Sequence, residues 1–290
     1  MVPSPAPATT PATLCARVLA ELSARANPDN VAGMARFGIS PTDTLGVSMP
    51  NVRSLAKDAR RQLGRDPHAC HELAELLWAS SLHEARIAAS LVDSPALVDD
   101  AQMECWAADL DSWDVCDQLC INLFRKAPGA WDKALQWPGR AEEFVKRAGF
   151  VLGATLAVHE KAADDARFMP LLALAERECA DERNFVKKAI NWQIRQIGKR
   201  SATLNAEAIA VCERILVERP ESASARWVAR GALRELLSEQ IRERLGLGPG
   251  GYANRARISA WTLTSHRIES APMLICIVTS ARSRRFRSTS

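Results

Sequence analysis

Helix-breaking residues are scarce over most of this chain, and this scarcity limits the folds open to it. Only 15 of the 290 residues are proline and 14 are glycine, and many of these lie in residues 1–12, in residues 37–50 and after Gly246. The remaining segments are rich in Ala, Leu, Arg and Glu, with few runs of β-branched residues. Because this composition favours helices over strands, the sequence predicts an all-α fold.

Short connectors divide the chain into about twelve predicted helices. Asp, Ser, Gly and Pro in these connectors suit N-caps and first turns, and tight links make consecutive helices antiparallel neighbours. A dozen helices in a row, at about 35–45 residues per pair, indicate an α-solenoid rather than a four-helix bundle. The predicted helices span residues 12–25, 29–36, 50–63, 67–79, 82–92, 95–108, 112–126, 140–159, 165–179, 183–199, 205–217 and 223–244.

The chain is predicted to contain one folded domain between two poorly ordered ends. Residues 1–11 are a Pro/Ala/Thr segment that has too little apolar surface to order itself, and the helical pattern occupies residues 12–245. The segment 246–290 is predicted to be a basic, disordered tail, because its last 40 residues contain seven Arg, no Lys and one acidic residue. Residues 1–250 hold 31 basic and 33 acidic side chains, so only a local patch there can attract nucleic acid.

Several classes of protein are excluded by the motifs that the sequence lacks. The eight cysteines form no CxxC pair or Cys/His cluster, and no phosphate-binding loop, dinucleotide-binding glycine pattern, nucleophile elbow or zinc-protease helix is present. We therefore expect no metal and no cofactor. No run of about 18 apolar residues and no signal-peptide pattern occurs, which predicts a cytoplasmic protein with no membrane contact. We further expect a monomer.

An aspartate at position 117 is the first candidate functional residue. When the helix over residues 112–126 is stepped by about 100° per residue, one polar stripe forms, consisting of Asp114, Gln118 and Asn122. Asp117 lies on a different face, beside Trp113, Ile121 and Phe124. Ionisation of a carboxylate among apolar groups is costly unless a cation approaches. The pattern is equally compatible with an acid that meets a cationic ligand and with one that pairs with a basic residue of the next helix.

A tryptophan within a basic stripe is the second candidate feature. In the helix over residues 183–199 the core face is predicted to contain Val186, Ile190, Ile194 and Ile197. The opposite face contains Lys188, Trp192, Arg195 and Lys199. Basic side chains around an aromatic ring suit binding to phosphates and to a nucleobase or sugar. The alternative is a solvated basic face with Trp192 covered by the next helix.

Arg147 is the third candidate residue, because the rotation places it among Phe150, Val151 and Ala154. A guanidinium on an apolar face needs an anion. The carboxylate of Asp117 and a backbone phosphate of a nucleic acid are the two candidates for that anion.

These residues resemble the AlkD-like branch of the DNA alkylation repair family. The resemblance extends over residues from about 15 to 245, and its WDxxD and FVxKAIxWxLR-like motifs are fairly specific. The matching stretches are FGISPTDTLGVSMPNVRSLAK at 37–57, LLWASSLHEARIAASLV at 76–92, DSWDVCDQL at 111–119, FVKRAGFV at 144–151 and RNFVKKAINWQIRQIGK at 183–199.

The resemblance implies a solenoid of HEAT-like helical pairs that grips double-stranded DNA and removes N3- and N7-alkylated purines without flipping the base. It implies that Asp117 is catalytic, that Trp113 and Trp192 contact the lesion nucleotide, and that Arg147 contacts a phosphate. From their shared face we add Lys188, Arg195 and Lys199 as phosphate contacts. The alternative is a noncatalytic solenoid that binds DNA or protein, since some members of this repeat family bind DNA without excising bases.

Overall fold

The computed structural model describes residues 10–248, and within this range the chain is entirely helical apart from its connectors. The all-α prediction is confirmed there. The segments 1–9 and 249–290, which contain most of the two ends predicted to be disordered, lie outside the described residues. The α-helices are α1 Pro11–Ala24, α2 Pro28–Ala35, α3 Met49–Gln62, α4 Pro67–Ala79, α5 His83–Val92, α6 Asp100–Ala108, α7 Trp113–Asn122, α8 Ala130–Gln136, α9 Glu143–His159, α10 Met169–Glu178, α11 Asn184–Gly198, α12 Ala202–Glu218, α13 Ala223–Leu236 and α14 Glu239–Arg244.

From α3 onward the helices form two rows, as the predicted solenoid requires. The odd row contains α3, α5, α7, α9, α11 and α13, each of which packs against the next member of the row. The even row contains α4, α6, α8, α10 and α12, and each of these directly precedes an odd-row helix in the chain. Within the even row α10 packs against α8 and α12, and α1 packs against α4. Because every second helix of such pairs runs in the same direction, the odd-row helices share one N-terminal edge and one C-terminal edge.

Helix α9 is the most deeply buried helix of the odd row. Every residue from 145 to 157 is buried, and the helix packs against α7, α8 and α11. Two basic residues, Lys146 and Arg147, therefore lie in an interior helix. Because a buried cation needs an anionic partner, α9 requires carboxylates from the helices around it.

Helix α8 was missed by the sequence pattern. It has only seven residues and lies between Pro128-Gly129 and Pro138-Gly139, which look like a loop. Packing stabilises it, because Ala130, Ala134 and the adjoining Trp137 are buried. Tertiary contacts therefore outweigh the local signals here.

The single helix predicted for residues 223–244 is also wrong. The structure divides it into α13 and α14, with Ser238 at the N-cap of the second helix. No glycine or proline marks this break, and the helical periodicity of the sequence therefore predicted one continuous helix.

Within residues 10–248 no helix is long and apolar enough to cross a membrane. The same range contains no group of three or more His, Cys, Asp or Glu side chains that could hold a metal ion.

Candidate active site

The Asp117 carboxylate forms a two-point ion pair with the Arg147 guanidinium. Nε of Arg147 donates to Oδ1 of Asp117 at 3.0 Å, and Nη2 donates to Oδ2 at 2.9 Å. The remaining nitrogen, Nη1, donates to the backbone carbonyl of Phe185 at 2.5 Å. The pair thus joins α7, α9 and α11 near their N-terminal ends. Arg147 keeps 6% of its side chain exposed and Asp117 keeps 15%.

Burial and charge act in opposite directions on both members of this pair. Burial raises the pKa of Asp117 and Arg147 opposes the change, with a net upward shift. Burial acts to lower the pKa of Arg147, but the Asp117 carboxylate outweighs it and the net direction is again upward. Because both carboxylate oxygens accept bonds from a guanidinium, the pair is ionic at neutral pH.

The phosphate contact that the resemblance implies for Arg147 stays a prediction, and in this structure the guanidinium is bound to protein acceptors. All three guanidinium nitrogens already donate to protein acceptors, and the side chain is buried. Of the two anions weighed from the sequence, the Asp117 carboxylate is the partner. The pairing of Asp117 with a basic residue of a neighbouring helix is likewise the alternative that the structure contains.

Trp113 and Phe37 are joined to each other close in the fold to the Asp117 helix. Trp113, one turn before Asp117, donates its indole N–H to the carbonyl of Phe37 at 3.0 Å. Phe37 follows α2 and has 69% of its surface exposed. The next residue, Gly38, has φ +79°, and a Cβ there would lie 2.8 Å from the ring of Phe185. The glycine therefore lets this loop approach α11.

Phe37 was missed as a candidate site residue. It lies in a breaker-rich loop where helical periodicity gives no face, and its link to Trp113 spans 76 residues. Its large exposed ring is the signal that only the structure supplies, since an isolated exposed aromatic beside a candidate site is available for contact with a ligand.

Asp114 differs from its expected exposure on the polar stripe. One oxygen, Oδ2, lies 2.8 Å from Nε2 of His83, and Oδ1 accepts the hydroxyl of Ser112 at 2.6 Å. Burial acts to lower the pKa of His83, but Asp114 outweighs it and the pKa is raised. Burial acts to raise the pKa of Asp114, but His83 and Ser112 outweigh it and the pKa is lowered. Asp114 therefore anchors α5 to the first turn of α7.

These shifts predict a pH window for the His83–Asp114 pair. The stability contributed by His83 is fully present below about pH 6.5 and is lost as the pH rises through its raised folded-state pKa. The stability contributed by Asp114 is present above about pH 3.9 and is lost as the pH falls through its lowered folded-state pKa. Urea unfolding should thus show a larger stability loss for Asp114→Asn at about pH 5.5 than at about pH 9. Equal losses at both values would disprove an ionic contribution.

The predicted basic stripe of α11 forms a second cluster, centred on Glu235 of α13. Arg195 donates to Oε2 of Glu235 and Lys199 to Oε1, each at 2.5 Å. Trp192 is half-buried and packs against the core. Lys188 is exposed, and its ammonium group makes no hydrogen bond or ion pair with another described residue. The predicted residues therefore fall into two groups: the Asp117–Arg147 pair, and the basic stripe of α11 beside Glu235.

Two rows of antiparallel helical pairs, with the candidate residues on the odd row, define a HEAT-like repeat protein. The fold matches a solved structure described as a new family of proteins related to the HEAT-like repeat DNA glycosylases with affinity for branched DNA structures. The TM-score is 0.62 at 18% sequence identity, and the match covers 80% of this chain and 95% of that chain. Residues 18–236 match the DNA alkylation repair enzyme family, and the chain belongs to that family. Comparison with curated proteins gave no match.

Proposed function

We propose that this protein is a DNA glycosylase that removes positively charged N3- and N7-alkylated purines from double-stranded DNA. The observation that carries the proposal is the Asp117 carboxylate, which Arg147 holds at both oxygens while 15% of the side chain stays accessible beside Trp113. A charge fixed in direction before substrate arrives is the arrangement that stabilises charge developing in a transition state.

The chemistry requires few groups. An N3- or N7-alkylated purine already carries a positive charge, so when the C1′–N bond breaks the electron pair neutralises the leaving base without a general acid. The sugar develops oxocarbenium character, which the Asp117 carboxylate stabilises. Water then adds to C1′ and loses a proton.

Two aromatic side chains suit the nucleotide around this carboxylate. Trp113 lies one turn before Asp117, and the exposed ring of Phe37 is tied to Trp113 through its carbonyl. Rings of this kind stack on sugars and bases with little loss of conformational entropy. We assign Trp113 and Trp192 to contacts with the lesion nucleotide, and Phe37 joins them on the basis of its exposure.

One observation favours a second candidate, a noncatalytic DNA-binding solenoid. Arg147 supplies a full positive charge within hydrogen-bond distance of Asp117, and this charge weakens the field that the carboxylate exerts on a substrate. In that case the pair serves only to tie together α7, α9 and α11. Release of 7-methylguanine from methylated duplex DNA separates the candidates, because only a glycosylase accelerates it above the spontaneous rate.

The basic stripe of α11 gives a prediction about DNA binding. Glu235 holds Arg195 and Lys199, so Glu235→Gln should free two cations and make the log–log salt slope of duplex binding more negative by about one to two units. Glu176→Gln is the matched control, because Glu176 pairs with Arg214 of α12 in the even row. The triple variant of Lys188, Arg195 and Lys199 to Ala should change the slope in the opposite direction. Identical slopes for the two Gln variants would contradict the assignment of these phosphate contacts.

A further inference from the structure

A line of cations follows the C-terminal edge of the odd row, away from the Asp117 pair. We name it the cationic edge, and its members are Arg60, Arg125, Lys126, Lys161, Arg200 and Arg244. The candidate site involves Arg147 and Phe185, near the starts of α9 and α11. Lys161 comes 14 residues after Arg147 in sequence, which at about 1.5 Å per helical residue puts the edge roughly 20 Å from the pair.

Hydrogen bonds show that these cations lie at neighbouring helix ends. Arg60 of α3 donates to the carbonyl of Leu91 near the end of α5, at 3.4 Å. Arg200, after α11, donates to the carbonyl of Ala157 near the end of α9, at 2.7 Å. Arg244 of α14 donates to the carbonyl of Lys199 at 2.9 Å. These bonds join the edge at α3 and α5, at α9 and α11, and at α11 and α14.

Capping of helix ends explains the arginines only in part. Cations near a helix C-terminus satisfy its last carbonyls and its dipole, and Arg60, Arg200 and Arg244 do this. The two lysines of the edge do not, because Lys126 and Lys161 are exposed and their ammonium groups form no hydrogen bond or ion pair with another described residue. Their charges are left for an external anion.

Cations from neighbouring helices lie close enough along the edge to act on one another. Burial lowers the pKa of Lys126, and the neighbouring Arg125 and Arg60 lower it further. Burial lowers the pKa of His159, and Arg125 and Lys161 add to the effect. Among the described residues, Glu160 acts on His159 in the opposite direction, and Asp165 lies 3.8 Å from Arg200.

A cleft of about 360 Å³ opens at one end of this edge. Its basic lining residues are Lys161, Lys199, Arg200 and Arg244, of which Lys199 is paired with Glu235, and no acidic residue of the described chain lines it. A cleft lined by one sign of charge concentrates ions of the opposite sign. The cleft therefore suits a phosphate group.

We propose that the cationic edge binds the phosphate backbone of DNA beyond the nucleotide held at the Asp117 site. The inference rests on the proposed DNA substrate but not on base excision. Neighbouring helices of a row lie about 8–10 Å apart, so five steps from α3 to α13 span about 40–50 Å. This length exceeds any small anion and matches roughly a dozen base pairs at about 3.4 Å each.

The test is a triple variant of the full chain, Lys126→Ala with Lys161→Ala and Arg244→Ala. All three side chains are exposed, so the fold should persist. We expect the salt slope of binding to an undamaged duplex of about 20 base pairs to become less negative by about two to three units. Affinity near 100 mM salt should fall by about an order of magnitude.

The control removes three positive charges from the other row of helices. It is the triple variant Arg177→Ala, Arg214→Ala and Arg219→Ala, whose residues lie on or next to α10 and α12. The proposal would be overturned if the edge variant and this control had the same salt slope for duplex binding. It would also be overturned if the edge variant lost binding to a polyglutamate peptide with the same salt dependence as its loss of DNA binding. Single-turnover excision at saturating protein keeps the two proposals apart. If the wild type releases no 7-methylguanine but the edge variant still loses slope, the glycosylase proposal fails and the cationic edge stands.

Discussion

Replacing Asp117 by Asn is expected to lower the single-turnover rate of 7-methylguanine release by about 10² or more. The substitution keeps the shape of the side chain and removes the charge that faces the developing sugar cation. Binding to undamaged duplex DNA should persist, because the basic stripe and the cationic edge are unaffected. The measurement is base release at saturating protein, which separates the chemical step from affinity.

Asp114→Asn is the matched control, since it removes the same charge one helical turn earlier. Both oxygens of Asp114 are already engaged, by His83 and Ser112, so its carboxylate has little influence on a bound sugar. We expect its excision rate to fall much less than that of the Asp117 variant. Equal losses, or a larger loss at Asp114, would mean that the catalytic assignment belongs to the other acid.

Replacing Arg147 by Met is expected to lower the free energy of unfolding by about 3–5 kcal/mol, because it leaves the Asp117 carboxylate buried without its partner. Asp117 keeps only 15% of its side chain exposed, so water cannot fully replace the lost guanidinium. Urea unfolding followed by helical circular dichroism measures the change.

The double variant Asp117→Asn with Arg147→Met should recover most of that stability, since no unpaired charge remains. The carbonyl of Phe185 still loses a donor, so recovery should be incomplete. A double variant as unstable as Arg147→Met alone would show that the loss comes from packing and not from the isolated carboxylate.

Local sequence signals were sufficient for most of the helices. Capping residues such as Asp66, Ser112 and Ser201 accept hydrogen bonds from the first turns that follow them, and such caps can be read from sequence. Where breakers and packing conflict, as around α8, the sequence misleads. Between α13 and α14 no glycine or proline marks the break, so helical periodicity predicts a helix that is too long.

The helical rotation identified the faces that Asp117 and Arg147 occupy, but it left the partner of each open between the other residue and an external ligand. Arg147 and Asp117 are 30 residues apart, and Arg195 and Glu235 are 40 apart. Such pairs depend on how rows of helices stack, which a single helix does not encode. The same limit made Asp114 look exposed, because its partner His83 lies 31 residues away on α5.

The measurement that tests the central claim most directly is single-turnover release of 7-methylguanine by the wild type and by the Asp117→Asn, Arg147→Met double variant. The account predicts release well above the spontaneous rate by the wild type and a rate at least about 10² lower for the folded double variant. Because the rate is compared for folded protein and the double variant has no unpaired buried charge, such a loss reports on the missing carboxylate. Wild-type rates in the double variant would show that Asp117 only holds the helices together, and no release by the wild type would exclude a glycosylase of this specificity.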